Sequence, residues 1–275
     1  MIIFYVIVFW LVVVKIMNII VCIKITHYTD FNIILDRDFI HIDKSNFKYV
    51  ISSYDELAIK EGLKIRDRFG GNLIILTVAP DTANTFLKSI LAMFNIDTAF
   101  RVWDSNLENA DSFAIAKVLA SAIKTLGYDI ILSGQKSIDI SSGIVGGIVS
   151  DMLDIPQISF VTKLELIDEK TYNAYRKMED TEEIIEFNPP VFIIIQKGLN
   201  KPKVPKLSDI IRGKKKEVII LTLSDISLSE IDIVNKVQII SITLPPPKKP
   251  RKILTSGVDS VPELLRLLKE EANVI

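Results

Sequence analysis

From Met17 onward, short apolar runs alternate with longer amphipathic stretches, and this alternation limits the possible folds more than any other property of the sequence. Parallel strands have to be joined by crossover connections, which are usually helices. The alternation therefore predicts an α/β fold built on a Rossmann-like parallel sheet. The strands are predicted at residues 18–24, 72–77, 98–103 and 129–133, and the last of these runs is apolar enough to indicate burial on both faces.

Local end signals place the helices between these strands. Ser53 and Glu56 stand three residues apart, as in a capping box, and Gly70 and Gly71 end the helix that they begin. The next two helices are predicted at residues 82–94 and 111–126, the second ending at Gly127. A fourth helix is expected over about residues 142–153, because Pro156 follows it.

The second half of the chain has a different pattern. Strand-like segments follow one another with short turns at residues 158–166, 171–176, 183–187 and 191–196, which predicts a more antiparallel arrangement. A small hairpin is expected earlier, at 34–43. The domain is predicted to span residues 17–243. Three consecutive prolines, at 245–247, then begin a C-terminal arm, 244–275, whose segment 261–272 is predicted as an amphipathic helix.

Residues 1–16 stand apart from this pattern. Residues 1–14 form an unbroken apolar run, which is followed by Lys15. A membrane span needs about 20 apolar residues, and the run reaches that length only by including part of the first predicted strand. A signal peptide would carry positive charge before its apolar part, and residues 1–4 carry none. We favour a translation start at Met17; a membrane anchor and an added structural element are the alternatives.

Composition narrows the functional classes. The formal net charge of −1 gives the chain no global attraction to nucleic acid or to anionic membranes. A single cysteine, Cys22, excludes an internal disulfide and fits a reducing compartment, so a cytoplasmic location is expected. The two histidines, His27 and His41, show no paired spacing with other metal ligands, and no metal site is predicted.

The segment 134–147 is the candidate for binding chemistry, because it joins a buried strand to a helix of small residues. Open parallel sheets bind ligands at the carboxyl ends of their strands, and helix N-termini attract phosphate. Glycines at 134, 143 and 146 allow close approach of the backbone, and serines at 137, 141 and 142 can donate hydrogen bonds. The segment is neither a P-loop nor a GxGxxG motif. By pattern alone, a connection that binds nothing fits equally well.

Six blocks of sequence, in order from residue 17 to the C-terminus, resemble the small (beta) subunit of electron-transfer flavoproteins. The segment 134–139 reads GQKSID where that family has G-[RK]-Q-A-I-D, and Ile155-Pro156-Gln157 follows as it does there. The other matching blocks read IVCIK (20–24), SYDELAIKEGLKIRD (53–67), LAMFNIDTA (91–99), YRKMEDTEEIIEFNPPVFIII (175–195) and LNKPKVPKLSDIIRGKKK (199–216).

The resemblance implies a non-catalytic electron carrier. Such proteins are heterodimers in which a large (alpha) subunit holds most of the contacts to a redox-active FAD, and the C-terminal arm of the small subunit contacts that partner. Electrons come from dehydrogenases, such as the acyl-CoA dehydrogenases of fatty acid oxidation, and leave to a quinone reductase or another acceptor. The small subunit holds AMP, or in electron-bifurcating members a second FAD.

The resemblance also implies a set of site residues, most of which line the nucleotide pocket. Tyr54 falls where an aromatic side chain approaches the FAD ring, and Leu207 falls where the family docks on partner dehydrogenases, with Lys214–Lys216 beside it. Without the family resemblance, Leu207 would be interpreted as a residue that holds a loop to the body of the protein. The implied pocket residues are Cys22, Ser52, Tyr54, Asp55, Val78, Gly134, Gln135, Lys136, Ser137, Asp139, Ser141, Ser142, Gly143 and Val145.

Two departures from the family pattern concern the ligand. Ser141 replaces an aspartate and Ile144 replaces a glutamine, so one polar contact is lost altogether. We therefore expect AMP and one shared FAD, with the bifurcating variant as the alternative. A nucleotide-binding stress or signalling domain is the alternative from another class; such a minimal domain would end near Pro156. A hydrolase or ligase is not favoured, because the sequence contains no Walker-type lysine, no cluster of metal ligands and no Ser-His-Asp set.

Overall fold

The computed structural model describes residues 17–28, 34–35, 42, 48–96, 98–167, 171–198, 211, 216–244, 246 and 251–275. In this part of the chain, eleven strands and five α-helices are formed. The strands are β1 (Asn18–Cys22), β2 (Ile25–His27), β3 (Tyr49–Ile51), β4 (Asn72–Val78), β5 (Thr98–Val102), β6 (Ile130–Gly134), β7 (Gln157–Leu166), β8 (Tyr172–Lys177), β9 (Glu182–Phe187), β10 (Val191–Ile195) and β11 (Glu217–Leu221). The helices are α1 (Ser53–Phe69), α2 (Asn84–Phe94), α3 (Ser112–Leu126), α4 (Val145–Leu153) and α5 (Val261–Glu270).

Nine strands form one sheet in the order β11-β5-β4-β1-β6-β10-β7-β8-β9. The pairs from β11 to β7 are parallel, whereas β8 pairs antiparallel with β7 and with β9. β2 and β3 form a separate antiparallel pair. The predicted α/β fold with a parallel sheet is therefore confirmed.

Helices cover both faces of the sheet. Successive residues of a strand point to opposite sides, so side chains on both faces are buried. In β1, Ile19 and Val21 pack in one core layer with residues of α1 and α2, such as Leu57. Ile20 packs in the other layer with residues of α3 and α4, such as Leu119. This two-sided burial is the reason that β1 is apolar throughout.

The connections that follow β1 and β6 leave the sheet toward opposite faces. β1 leads into α1 on the first face, and its neighbour β6 leads into α4 on the second face. Two adjacent parallel strands whose connections leave to opposite faces create a crevice at their carboxyl ends, which is where open α/β sheets bind ligands.

The helix end signals were largely read correctly. Gly70 and Gly127 follow α1 and α3 with positive φ of 77° and 70°, and their N–H groups bond back to carbonyls of the preceding turns. Asp111 is the N-cap of α3, and its carboxylate accepts a hydrogen bond from Ala114 N at 2.8 Å. The predicted helix of the arm is present as α5, two residues shorter than expected.

The cap of α1, the start of α4 and the end of β1 differ from the predictions. α1 is capped by Ser52, whose Oγ accepts a hydrogen bond from Tyr54 N, and Ser53 is its first helical residue. α4 begins at Val145 because Ser141 and Gly143 have positive φ, of 58° and 65°, which a helix cannot contain. β1 ends at Cys22, two residues earlier than predicted. The N–H of Lys24 donates to the Asp55 carboxylate and not to a neighbouring strand.

The antiparallel prediction for the second half holds for β7, β8 and β9 but is wrong for β10. All five residues of β10 are buried, because β10 lies between β6 and β7 and is parallel to both. Its continuous apolar run was the sign of a central parallel strand. β11 was not predicted; it is an edge strand that pairs parallel with β5.

Two predicted features of the first 43 residues are only partly covered by the described ranges. An antiparallel bridge between Leu35 and Ile42 agrees with the predicted hairpin. The apolar segment 1–16 lies outside the described residues. Within those residues, every helix is too short or too polar to cross a membrane.

Candidate functional site

The loop that follows β6 is tied to the start of α1 by Asp55. The Asp55 carboxylate accepts hydrogen bonds from Gly134 N at 3.1 Å and from Lys24 N at 2.9 Å, so one side chain joins the ends of β1 and β6. Ser52 adds a second tie, because its Oγ donates to Lys136 O at 2.8 Å. Both side chains belong to the first turn of α1 or its cap, and both are buried.

Gly134 is required by this close approach. A Cβ at position 134 would come 2.4 Å from Asp55 Oδ1 and 2.7 Å from the backbone of Tyr54 and Asp55. The next residue, Gln135, continues the sheet by donating its N–H to Ile195 O at 2.9 Å. The start of the loop is thus fixed by backbone contacts on both sides.

A third tie is an ion pair between Lys24 and Asp139. Lys24 Nζ lies 2.6 Å from Asp139 Oδ2. Burial alone would raise the pKa of Asp139, but hydrogen bonds from Lys24 and Ser137, the charge of Lys24 and the Ile140 N–H outweigh it, and the net pKa is well below the ordinary value. Asp139 therefore stays ionised and paired at neutral pH.

The pKa values of Asp55 and Cys22 are raised, whereas that of Asp139 is lowered. Burial, with a smaller contribution from Asp139, raises the pKa of Asp55 from 3.8 to about 7, although Lys24 and Gly134 oppose the shift. Burial and the neighbouring Asp55 raise the pKa of the Cys22 thiol to about 12. Cys22 is therefore a protonated thiol at the end of β1, and it is not a nucleophile.

The raised pKa of Asp55 predicts a pH dependence of stability. The folded protein binds the Asp55 proton more tightly than the unfolded chain, so this contribution to stability is complete below about pH 4 and is lost as the pH rises to about 7. The full difference corresponds to about 4 kcal/mol. Among the neighbouring groups named here, Cys22 and Asp139 do not titrate in this window because their pKa values lie above and below it.

The measurement is chemical unfolding of the wild type and of Asp55→Asn between pH 4 and 8. The variant keeps one acceptor oxygen, so it loses one of the two hydrogen bonds at every pH, and it cannot titrate at this position. The wild-type advantage over Asp55→Asn is expected to shrink as the pH rises. A wild-type advantage that grows with pH would show that Asp55 has a normal or lowered pKa.

The N-terminus of α4 is open. Its N-cap residue is Ile144, whose apolar side chain makes no capping hydrogen bond. The first N–H groups of a helix have no partner within the helix and carry a partial positive charge. Ser133 Oγ is buried without a hydrogen-bond partner, and it would lie 3.2 Å from a Cβ at Gly146. This hydroxyl therefore faces the first turn of α4.

A cavity of about 300 Å³ adjoins this helix end. Gln157 and Ser159 form its polar side, and Gln157 Nε2 donates to Ser159 Oγ at 2.5 Å. The buried Ser150 donates its Oγ hydrogen to Gln157 Oε1 at 2.7 Å from behind. Its other wall is apolar. The lining residues are Gln135, Gly143, Ile144, Gly147, Ile148, Gln157, Ser159, Phe160 and Ile194.

The structure brings most of the predicted site residues to one edge of the sheet. Val78 is the last residue of β4, the neighbour of β1. Tyr54 lies under Lys197 Nζ, which is 5.4 Å from the ring centroid. The residues already placed at the strand ends and in the fixed part of the loop are Cys22, Ser52, Asp55, Gly134, Gln135, Lys136, Ser137 and Asp139.

The remaining predicted residues lie in the outer part of the loop or beyond the described ranges. Ser141 and Ser142 are exposed, and Ser141 Oγ donates to Ser137 O at 3.1 Å. A Cβ at Gly143 would come 3.2 Å from Gln135 O, so the loop folds back on its own start. Val145 is the first residue of α4. Leu207 lies outside the described residues.

Sequence reasoning missed several residues of this region: Lys24, Ser133, Gln157, Ser159 and Phe160. Lys24 could have been found, because it is the first charged residue after a buried strand. Ser133 is a polar residue inside an otherwise apolar strand, which was a further signal. The role of Gln157 and Ser159 in the cavity depends on the position of β7 beside β10, which no local pattern shows.

The fold is that of an open, mostly parallel α/β sheet with helices on both faces. A family model described as "Electron transfer flavoprotein domain" matches residues 40–226. The electron transfer flavoprotein subunit beta of Bacillus subtilis (strain 168) is 34% identical over 260 residues, which is 94% of this chain and 100% of that protein.

Two further relatives carry the same description. The electron transfer flavoprotein subunit beta of Thermoanaerobacterium thermosaccharolyticum is 32% identical over 213 residues, 76% of this chain and 81% of that protein. A probable electron transfer flavoprotein subunit beta of Saccharomyces cerevisiae is 29% identical over 233 residues, 83% of this chain and 87% of that protein. The chain belongs to the electron transfer flavoprotein family, as a beta subunit.

Membership has two direct consequences. A beta subunit implies a partner alpha subunit, and the family name implies association with a flavin. Proteins of this kind carry electrons and are not themselves catalysts.

Proposed function

We propose that this chain, with a large subunit, forms a heterodimeric carrier that takes electrons from dehydrogenases, such as acyl-CoA dehydrogenases, and passes them to a quinone reductase or another acceptor. FAD shared with the large subunit supplies the redox chemistry, because a flavin can accept two electrons and release them singly. The chain itself binds AMP at the carboxyl ends of β1, β4 and β6. Its own part is to bind and to position.

The open N-terminus of α4 is the observation that carries the nucleotide assignment. Ile144 offers the helix no cap, and the unpartnered hydroxyl of Ser133 faces the same turn. A phosphate group would satisfy both, since it accepts hydrogen bonds from backbone N–H groups and from hydroxyls. Gly143 and Val145 place backbone at this point without a large polar side chain in the way.

The residues around the phosphate position suit the rest of a nucleotide. Ser137 and Ser142 supply hydroxyls in the loop, and Val78 ends β4 on the far side of β1. Cys22 stays protonated in this pocket, so it contributes surface and no charge. Among the described residues, these groups bind and orient, and they form no nucleophile–base pair.

AMP is preferred to a second FAD because of Ile144. The family pattern has a glutamine at this position, and the isoleucine of this chain removes that polar contact. The isoleucine is 50% exposed. One observation favours the alternative: the cavity of about 300 Å³ beside α4 leaves room beyond a single phosphate. A second FAD is therefore the other candidate ligand, and it would make the protein an electron-bifurcating variant.

Docking on dehydrogenases is proposed for the segment around Leu207, with Lys214–Lys216 beside it. Positive charge next to a docking loop would steer an acidic partner and would raise the rate of association more than the affinity. The arm with α5 is proposed to contact the large subunit. Leu264 and Leu265 of α5 are 45% and 52% exposed, which leaves an apolar face available for that contact.

Co-expression with a gene for the large subunit tests the electron-carrier proposal. The purified complex is expected to be a yellow heterodimer whose flavin absorbance bleaches when an acyl-CoA dehydrogenase and its substrate are added. A Leu207→Ala complex should keep its flavin but accept electrons more slowly from that dehydrogenase. A colourless monomer that hydrolyses a nucleotide would contradict the proposal and would favour a signalling-type domain or a hydrolase.

A further inference from the structure

The loop 134–144 divides into a fixed part and a free part. Residues 134, 136 and 139 are each bonded to another element, through Asp55, Ser52 and Lys24. From 140 to 144, the hydrogen bonds of the described residues stay within the loop or lead into α4. Ile140 N donates to Asp139, Ser141 Oγ donates to Ser137 O, and Ile144 O accepts from Ile148 N. Ile140 and Ile144 are 70% and 50% exposed in this free part. The Lys24–Asp139 pair is thus the last tie between the loop and the protein body before α4.

Both partners of this pair are held in position by their own surroundings. Lys24 is fixed at its backbone, because its N–H donates to Asp55 Oδ2 at 2.9 Å. Asp139 accepts hydrogen bonds from Ser137 and from Ile140 N, so its carboxylate also orders the loop locally. The lysine side chain is 44% exposed and the aspartate side chain 22% exposed. An ion pair between pre-positioned partners loses less side-chain entropy on forming than one between two free chains.

We propose that Lys24 is a positioning residue of the nucleotide site and that its ion pair with Asp139 acts as a latch on the binding loop. The inference rests on the proposed nucleotide-binding function. With the latch closed, only the five residues 140–144 remain to be ordered before the backbone N–H groups at the start of α4. A loop that is ordered in advance binds its ligand more tightly, because less conformational entropy is lost on binding.

The latch predicts a specific pattern among variants of the complete heterodimer. Lys24→Met and Asp139→Asn should each speed the exchange of bound AMP for radiolabelled AMP by about five- to tenfold, which corresponds to about 1 to 1.4 kcal/mol. The double variant should be no faster than either single variant, because each change opens the same latch. Lys24→Arg keeps the pair and should stay within about twofold of the wild type.

A matched control is available on α1. Lys64 Nζ lies 2.6 Å from Glu61 Oε1, the same distance as in the latch, but this pair lies within one helix. Lys64→Met should leave AMP exchange unchanged. A general loss of stability would lower the melting temperature of every variant, and it would also speed AMP exchange in the control. The control therefore separates a positioning effect from a general structural one.

Hydrogen–deuterium exchange of the loop amides tests the latch without any ligand. Backbone amides of residues 135–140 are expected to exchange faster in Lys24→Met and in Asp139→Asn than in the wild type, whereas those of α1 are expected to be unchanged. If the wild-type complex holds no AMP, the proposed function fails, and this measurement still decides the latch.

Two results would overturn the inference. If Asp139→Asn leaves AMP exchange unchanged or slows it while Lys24→Met speeds it, the ammonium contacts the ligand directly and the pair is not a latch. If neither variant alters the loop amides, Lys24 does not hold the loop.

Discussion

Replacing Gly134 by alanine is expected to lower the free energy of unfolding by about 3 kcal/mol and to abolish AMP binding. The added Cβ would come 2.4 Å from Asp55 Oδ1 and 2.7 Å from the backbone of Tyr54. Backbone cannot rotate away as a side chain can, so α1 and the loop would have to separate. In a domain of this size, the melting temperature should fall by roughly 6–12 °C.

Gly70→Ala is the matched control for Gly134→Ala. No atom lies within 4 Å of a Cβ at Gly70, and the cost there comes only from its positive φ of 77°. With ψ at −168°, this conformation is nearly restricted to glycine, so the cost is about 1–3 kcal/mol, but AMP should remain bound. Thermal unfolding and AMP content of the two purified complexes make the comparison. A Gly134→Ala complex that melts like the wild type and keeps its AMP would show that the approach of Asp55 to the loop is not needed.

Asp81→Asn is expected to destabilise the protein by about 1–3 kcal/mol because it removes the charge partner of a buried arginine. The Arg101 side chain is 1% exposed and its Nη2 lies 2.5 Å from Asp81 Oδ1, whereas the Asp81 side chain is 84% exposed. Nη1 donates to Ala79 O at 2.9 Å, but Nε has no partner. The exposure of Asp81 keeps the loss below the cost of breaking a fully buried pair.

Arg101→Met should cost less than Asp81→Asn, and in the double variant it should remove most of the Asp81→Asn penalty. Methionine removes the buried charge itself and fills a similar length of the core. Asp67→Asn is the control, since Asp67 is a 65% exposed partner of Arg66 and its pair should contribute less than about 0.5 kcal/mol. Urea unfolding gives all four values. Equal losses for Asp81→Asn and Asp67→Asn would contradict the account of Arg101.

The sequence alone specified the central part of the fold because its signals there are local. The apolar runs of β1, β4 and β6 showed their burial directly, and Gly70 and Gly127 marked helix ends through capping geometry that needs only neighbouring residues. Gly134 was also recognised as a position of close approach. The partner of that approach, Asp55, was named only through family resemblance.

Other features depend on contacts between distant parts of the chain. β10 was expected in an antiparallel arrangement, but it lies between β6 and β7, and no residue next to it in the sequence indicates this place. Lys24 and Asp139 are 115 positions apart, so their pair could not be deduced from spacing. Ser52 replaced Ser53 as the cap of α1 because Oγ of Ser52 also bonds to the loop at Lys136. Tertiary contacts decided each of these details.

The cofactor content of the native heterodimer tests the central proposal most directly. The complex would be purified with its large subunit, denatured, and its released nucleotides counted by chromatography against the protein concentration. One FAD and one AMP per heterodimer is the predicted result, because Ile144 and the open end of α4 favour a single phosphate in this chain. Two FAD per heterodimer, or no adenine nucleotide besides one FAD, would contradict it.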